Sequence, residues 1–137
     1  MPCRHKTLTL RTTAKHQILD ITEEVRTCVR DAGAESGLCT VYTPHATAAI
    51  AINENADPNV GTDFLQALGR AVPEHENWLH DRVDDNAAAH IKSALVGPSE
   101  TIPIQDGKLA LGTWQNVFFC EFDGPRSSRR VIVSVSS

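Results

Sequence analysis

The stretch His45-Ala46-Thr47-Ala48-Ala49-Ile50-Ala51-Ile52-Asn53-Glu54-Asn55-Ala56-Asp57-Pro58 constrains the chain more than any other. Its apolar middle is short, lacks Gly and Pro, and sets small residues beside Ile50 and Ile52, which predicts a buried strand. A histidine closes one end and a Glu-Asn-x-Asp cluster the other. Polar groups at the ends of a buried strand sit on a rigid support, a common way to build a site. The remaining segments are expected to supply partners for those two ends.

The chain has 137 residues, the size of one domain, and residues 1–137 read as a single unit able to bury a core without disulfide or metal staples. A formal charge of -4 argues against a protein that coats nucleic acid, although one basic patch occurs near the C-terminus. No apolar run reaches the roughly 20 residues of a membrane span. Met1 to Lys6 has no apolar segment behind its charges, so no signal peptide is expected. Cys3, Cys28, Cys39 and Cys120 are scattered, with no C-x-x-C pair. Reduced, mostly buried thiols and a cytoplasmic location are the expectation.

Lys6–Arg11 alternates as a half-buried strand, and 17–21 is a short second one. Thr22 is placed as a helix cap, with Glu23 and Glu24 where the helix dipole favours acids and Gly33 as the stop. Residues 38–43 form a strand leading through Pro44 into the 45–58 stretch. Asp57-Pro58 starts a helix carrying Phe64, Leu65, Leu68 and Val72, ended by Pro73. Residues 74–85 are a polar loop anchored by Trp78-Leu79. Residues 86–95 read as a helix with Ala87, Ile91, Ala94 and Leu95 on its apolar face and Asn86, His90 and Ser93 opposite. Asp106-Gly107 marks a hairpin between 101–104 and 108–111. Strands at 116–122 and 130–135 complete about eight strands and three helices that do not regularly alternate, an α+β pattern built on one mixed or antiparallel sheet.

Four feature sets could carry chemistry. Of six histidines, His45 lies at a strand end, His80 in the polar loop and His90 on a helix. Neutral imidazoles ligate metals, but without an H-x-x-x-H or H-x-H pair the spacing alone favours exposed or hydrogen-bonded side chains. Glu54, Asp57, Asp81, Asp84 and Asp85 could act as general bases or orient ligating histidines, or could be a helix cap and a solvated loop. Gly112-Thr113-Trp114-Gln115 suggests a bulge, with Trp114 as a stacking wall or a core residue and Gln115 as a hydrogen-bonding group. Arg126-Ser127-Ser128-Arg129-Arg130 is either a phosphate cradle or a basic surface turn.

Taken together, His45–Ala49, Asn53–Pro58, Trp78–Asp81, Ala89–Ser93, Gly107–Gln115 and Glu121–Arg130 resemble the YjbQ-like family, described in part as secondary thiamine-phosphate synthase. The resemblance runs over nearly the whole chain. It implies a small α+β two-layer sandwich, a mixed or antiparallel sheet with about three helices, assembling as a homotrimer. It implies a metal-assisted transferase that joins a pyrimidine-methyl diphosphate to a thiazole phosphate and releases pyrophosphate. The alternative is a trimeric metal- or metabolite-binding module without turnover. With the resemblance added, His45, His80 and His90 become the metal ligands and Glu54 and Asp81 acid–base or orienting groups. Thr47, Asn55, Asn86 and Ser93 become the pocket lining, Arg129 and Arg130 the phosphate contacts, and Trp114 the stacking group with Gln115 beside it. Zinc is the metal implied at the histidines. Magnesium would arrive with a phosphate substrate.

Overall fold

Two runs of period-two alternation, Cys39/Val41 and Val131/Val133/Val135, turn buried apolar side chains to one side and leave Thr40, Tyr42 and Ser134, with Leu38 and Ile132, on the other. They fall in two neighbouring strands of the larger sheet. The computed structural model describes residues 3–137; Met1 and Pro2, the start of the charged N-terminal segment, lie outside the described residues. In order, the elements are β1 (Cys3–Leu10), β2 (Gln17–Asp20), α1 (Thr22–Ala32), β3 (Gly37–Tyr42), β4 (Ala48–Asn53) and α2 (Asn59–Ala71). A 3-10 turn (Leu79–Arg82), α3 (Ala87–Val96), β5 (Ser99–Gln105), β6 (Lys108–Leu109), β7 (Asn116–Glu121) and β8 (Arg129–Ser136) follow.

The expected α+β class with three helices and antiparallel strands is what the chain forms. Its strands divide between two sheets: five in the order β1-β8-β3-β5-β6, three in the order β2-β7-β4. One core lies between the sheets and under α1, where Val25 and Val29 meet Ile50, Phe119, Val41 and Val133. A second lies on the other side of the three-stranded sheet, where Ala49, Phe118, Cys120 and Phe122 meet Phe64, Leu65 and Leu68 of α2 and Ala89 of α3. Strands β4 and β7 are therefore covered on both faces. That burial explains why residues 46–52 show no polar alternation. Deleting a side chain such as Phe119, fully buried, would cost about 3–5 kcal/mol.

Local signals worked where backbone chemistry is decisive. Gly33 ends α1 in the left-handed region (φ 67°), and Asp106 and Gly107 turn the β5–β6 hairpin at φ 52° and 75°. Three expectations shift. Asp20, rather than Thr22, caps α1: its Oδ1 accepts the Thr22 amide at 3.0 Å as well as the Thr22 hydroxyl, while Thr22 is buried. Residues 112–115 form a turn ahead of β7 rather than a bulge within a strand, closed by the Gly112 amide donating to Gln115 Oε1 at 2.8 Å. The face of α3 is rotated: Ala88, Ala89, Lys92 and Ser93 are buried, whereas Leu95 is 65% exposed. The polar members of that face can be buried because each has a partner. The Ser93 hydroxyl donates to the Ala48 carbonyl and the Lys92 ammonium to His16.

Candidate functional site

Strand β4 separates two polar clusters. From Thr47 to Glu54 the chain advances about 23 Å at the ~3.3 Å rise of an extended residue. One extended element thus carries the two groups apart instead of bringing them into one pocket. Asn53 pairs with Asn116 across β4 and β7, so Trp114 and Gln115 stand at the Glu54 end. The Asn55 amide side chain donates to Asp20 Oδ2 at 2.9 Å, and its backbone N–H donates to Asn116 Oδ1 at 3.1 Å. Glu54 Oε2 accepts the Asp57 amide at 3.3 Å. Trp114 is 62% exposed. Glu54, Asn55, Trp114 and Gln115 therefore form a set of their own, apart from the histidine end, and Asn55 fastens β4 to the start of α1.

At the other end the central feature is Glu121, fully buried in strand β7. Arg129, only 5% exposed, lies against both of its carboxylate oxygens, with Nε at 2.9 and 3.1 Å. The Thr12 hydroxyl donates to Glu121 Oε1 at 2.7 Å, and an Arg129 terminal nitrogen donates to Thr47 Oγ1 at 2.9 Å. A carboxylate and a guanidinium out of water require this many partners. Arg129 and Thr47 are thus committed to the protein, and Arg129 acts on a ligand only by its field. Glu121 escaped sequence reasoning as a site residue. The signal was present: it is the one acid inside the apolar run Val117–Phe122.

Around this pair the exposed groups gather. Nε2 of His45 accepts the backbone N–H of Arg130 at 2.9 Å, while the Arg130 side chain is exposed. Burial first, then the Arg129 and Arg130 charges, hold His45 below the ordinary histidine range and keep it neutral at pH 7. Arg126 donates to Asp123 Oδ2 at 2.9 Å, and Asn86 Nδ2 donates to the same carboxylate oxygen at 2.8 Å. The Asn86 Oδ1 atom is buried without a hydrogen-bond partner. One turn on from Asn86, His90 meets His80 edge-on with ring centroids 4.7 Å apart. Asp81 fixes that pair by accepting the Ala87 amide at 2.9 Å, which ties the 3-10 turn to the start of α3. Asp84 lies 3.6 Å from His80 Nε2. Leu79, expected as an anchor of the polar loop, is 73% exposed; Trp78 instead holds the loop by donating to the Pro73 carbonyl at 2.9 Å.

Zinc, implied at residues 45, 80 and 90, does not fit these side chains as a set. Among the described residues no group of three His, Cys, Asp or Glu is placed to hold an ion. His45 presents its Nε2 lone pair to a backbone amide. The thiols offer no alternative: all four are free, and burial pushes Cys39 and Cys120 up to about 12.

A second buried ionic group was also missed. Lys92, 2% exposed, sets Nζ 3.3 Å from His16 Nε2 and 3.7 Å from Glu74 Oε1; His16 Nε2 lies 3.4 Å from the same oxygen. It joins α3 to the end of α2 and to the loop after β1. It was hidden because Lys92 sits on the face of α3 that periodicity assigns to solvent.

Comparison with known proteins gives this geometry a family. The description UPF0047 protein YjbQ-like matches residues 6–137. The chain is 47% identical over 123 residues to UPF0047 protein YugU of Bacillus subtilis, covering 89% of this chain and 92% of that one. It is 48% identical over 126 residues to a UPF0047 protein of Archaeoglobus fulgidus, covering 92% and 96%. Among solved structures, a yjbq/upf0047 family protein from Clostridium acetobutylicum superposes with a TM-score of 0.92 at 44% identity, covering 96% of this chain and 99% of that one. A YbjQ-like protein from Sulfolobus solfataricus gives 0.95 at 34% identity, covering 98% and 96%. The chain belongs to the YjbQ-like UPF0047 family.

Proposed function

We propose that the chain is a transferase acting on a small phosphorylated metabolite, and that the reactive phosphate lies at the His45 end of β4. The observation that supports it is the company kept there by exposed cations. Arg126 and Arg130 stand beside a neutral histidine, over a buried guanidinium whose position Glu121 fixes. Arginine forks match phosphate oxygens, and donors held by a rigid base need little reorganisation as a leaving group gains charge. Histidines 80 and 90 supply proton-transfer groups beside Asn86. The reaction implied by the family resemblance fits that chemistry: a carbon–oxygen bond to diphosphate breaks, a bond to the thiazole nitrogen forms, and pyrophosphate departs. On this reading arginine and histidine donors assist the departure.

Pyrophosphate release is measured with purified protein, a pyrimidine-methyl diphosphate and a thiazole phosphate. Arg130→Ala and His90→Ala are each expected to slow turnover by about 10²-fold with a thermal midpoint near that of the unmodified protein. No pyrophosphate from the unmodified protein would overturn the assignment of this reaction.

A trimeric binding module without turnover is the second reading, favoured by one surface. The outer face of the larger sheet, with Thr7, Leu38, Thr40, Tyr42, Ile132 and Ser134, carries no helix, and Leu38 is 50% exposed. A sheet face whose centre is apolar and hydroxyl-bearing, with Arg130 and His5 towards its margins, suits contact with further copies of the chain. Ligand binding without product would favour this reading.

A further inference from the structure

We infer that His45 serves as a fixed hydrogen-bond donor, through Nδ1–H, to a phosphate oxygen, and is not a metal ligand. The inference rests on the phosphorylated-ligand reading for the identity of the acceptor; the tautomer does not depend on that reading.

Pro44 interrupts the pairing of β3 with β8. Strands β3 and β8 are antiparallel partners from Leu38↔Ser136 to Tyr42↔Ile132. Continuing that register would set residue 44 opposite Arg130. Proline has no N–H, so the ladder cannot continue in the ordinary way. Two side chains take over instead. The Thr43 hydroxyl donates to the Arg130 carbonyl at 3.0 Å, and His45 Nε2 accepts the Arg130 N–H at 2.9 Å. The imidazole thus occupies the place of a ladder carbonyl. Its Nε2 lone pair satisfies a backbone donor that would otherwise be left without a partner at the edge of the core.

A neutral imidazole has one N–H and one lone pair. With the lone pair engaged at Nε2, the proton resides on Nδ1, and neither nitrogen has a free pair for an ion. Burial and the two neighbouring arginines keep the ring neutral, which preserves this arrangement at pH 7. What the ring offers outward is a donor. It stands beside the exposed Arg130, on the rim of the Glu121–Arg129 pair. A phosphate oxygen is the acceptor that this setting favours: cations neutralise its charge, and an N–H with fixed direction orients it. The histidine pair at residues 80 and 90 is separate in function, because its nitrogens are not tied to the β8 ladder.

The test reads tautomer, metal and phosphate separately. Long-range nitrogen–proton spectra of the full chain at pH 7.5 are expected to show His45 as the Nδ1–H form. With zinc alone added, His45 is expected to keep those nitrogen shifts. An Nε2–H signal, or a His45 nitrogen moving to the metal-bound range, would overturn the inference. His45→Gln keeps an oxygen near the Nε2 position, able to accept the Arg130 amide, and lacks a donor at the Nδ1 position. Its thermal midpoint should stay near that of the unmodified protein while its affinity for inorganic pyrophosphate falls about tenfold or more. Equal pyrophosphate affinity in that variant overturns the donor role alone. Absence of pyrophosphate binding in the unmodified protein overturns the phosphate reading and the donor role together, whatever the tautomer.

Discussion

Glu121 is the residue on which the histidine end depends, because it holds Arg129 and Thr12 while fully buried itself. Glu121→Gln would leave Arg129 without its counter-charge in a site from which water is largely excluded. The expected loss is about 3–5 kcal/mol in chemical denaturation, the cost of breaking a buried pair from one side. The double replacement Glu121→Leu with Arg129→Met should lose far less, since neither charge then needs a partner. A histidine pair of a different kind sets the acid response. His16 is held below 6.5, first by burial and then by the Lys92 charge; His45 is lowered by burial and by Arg129 and Arg130. The unfolded chain therefore takes up these protons at a higher pH than the folded one. Stability should be flat above about pH 7 and fall as the pH drops through and below 6.5. His16→Gln should reduce that slope, read as thermal midpoint against pH; an unchanged slope would contradict the assignment.

The elements place these residues, and α3 shows where periodicity misleads. Its sequence alternation marks Ala87, Ile91, Ala94 and Leu95 as inward, yet Leu95 is exposed and Lys92 and Ser93 are buried. Hydrophobic pattern cannot register a lysine whose partners, His16 and Glu74, come from segments remote in sequence. Lys92→Ala should lower stability by about 1–2 kcal/mol and loosen the loop after β1; Glu74 keeps some access to water, which limits the loss. By contrast, β4, the Gly33 stop and the Asp106-Gly107 hairpin were legible, because each follows from local burial or backbone chemistry. Arg130 and the histidines were picked out by residue type alone, which says what chemistry a side chain offers and not where it stands. Glu54 and Trp114 were grouped with them by the family resemblance, although the sequence already set Glu54 and His45 at opposite ends of one strand. Gly124 marks another close approach: a Cβ there would lie 2.2 Å from the Ala14 carbonyl oxygen and 2.9 Å from both Glu121 Cγ and Thr12 Oγ1. Gly124→Ala should force the 12–16 loop away and lower the thermal midpoint by several degrees.

At the scale of the whole molecule, two sheets and three helices leave β4 and β7 buried on both faces and the larger sheet open on one. Among the described residues no helix is long and apolar enough to cross a membrane. The open face supports the proposed trimer, and a charge on it should be costly: Thr40→Glu is expected to shift sedimentation from trimer towards monomer while the monomer fold persists. The division into two sheets was not readable beforehand, since alternation shows which strands have a polar face but not which strands pair. On the proposed function, phosphate chemistry belongs to the His45 end of β4. A crystal structure of the protein grown with inorganic pyrophosphate tests it most directly. Phosphorus density is expected within hydrogen-bond reach of His45 Nδ1 and the Arg130 guanidinium; density confined to the Glu54–Trp114 end, with the His45 end untouched, would rule out this placement.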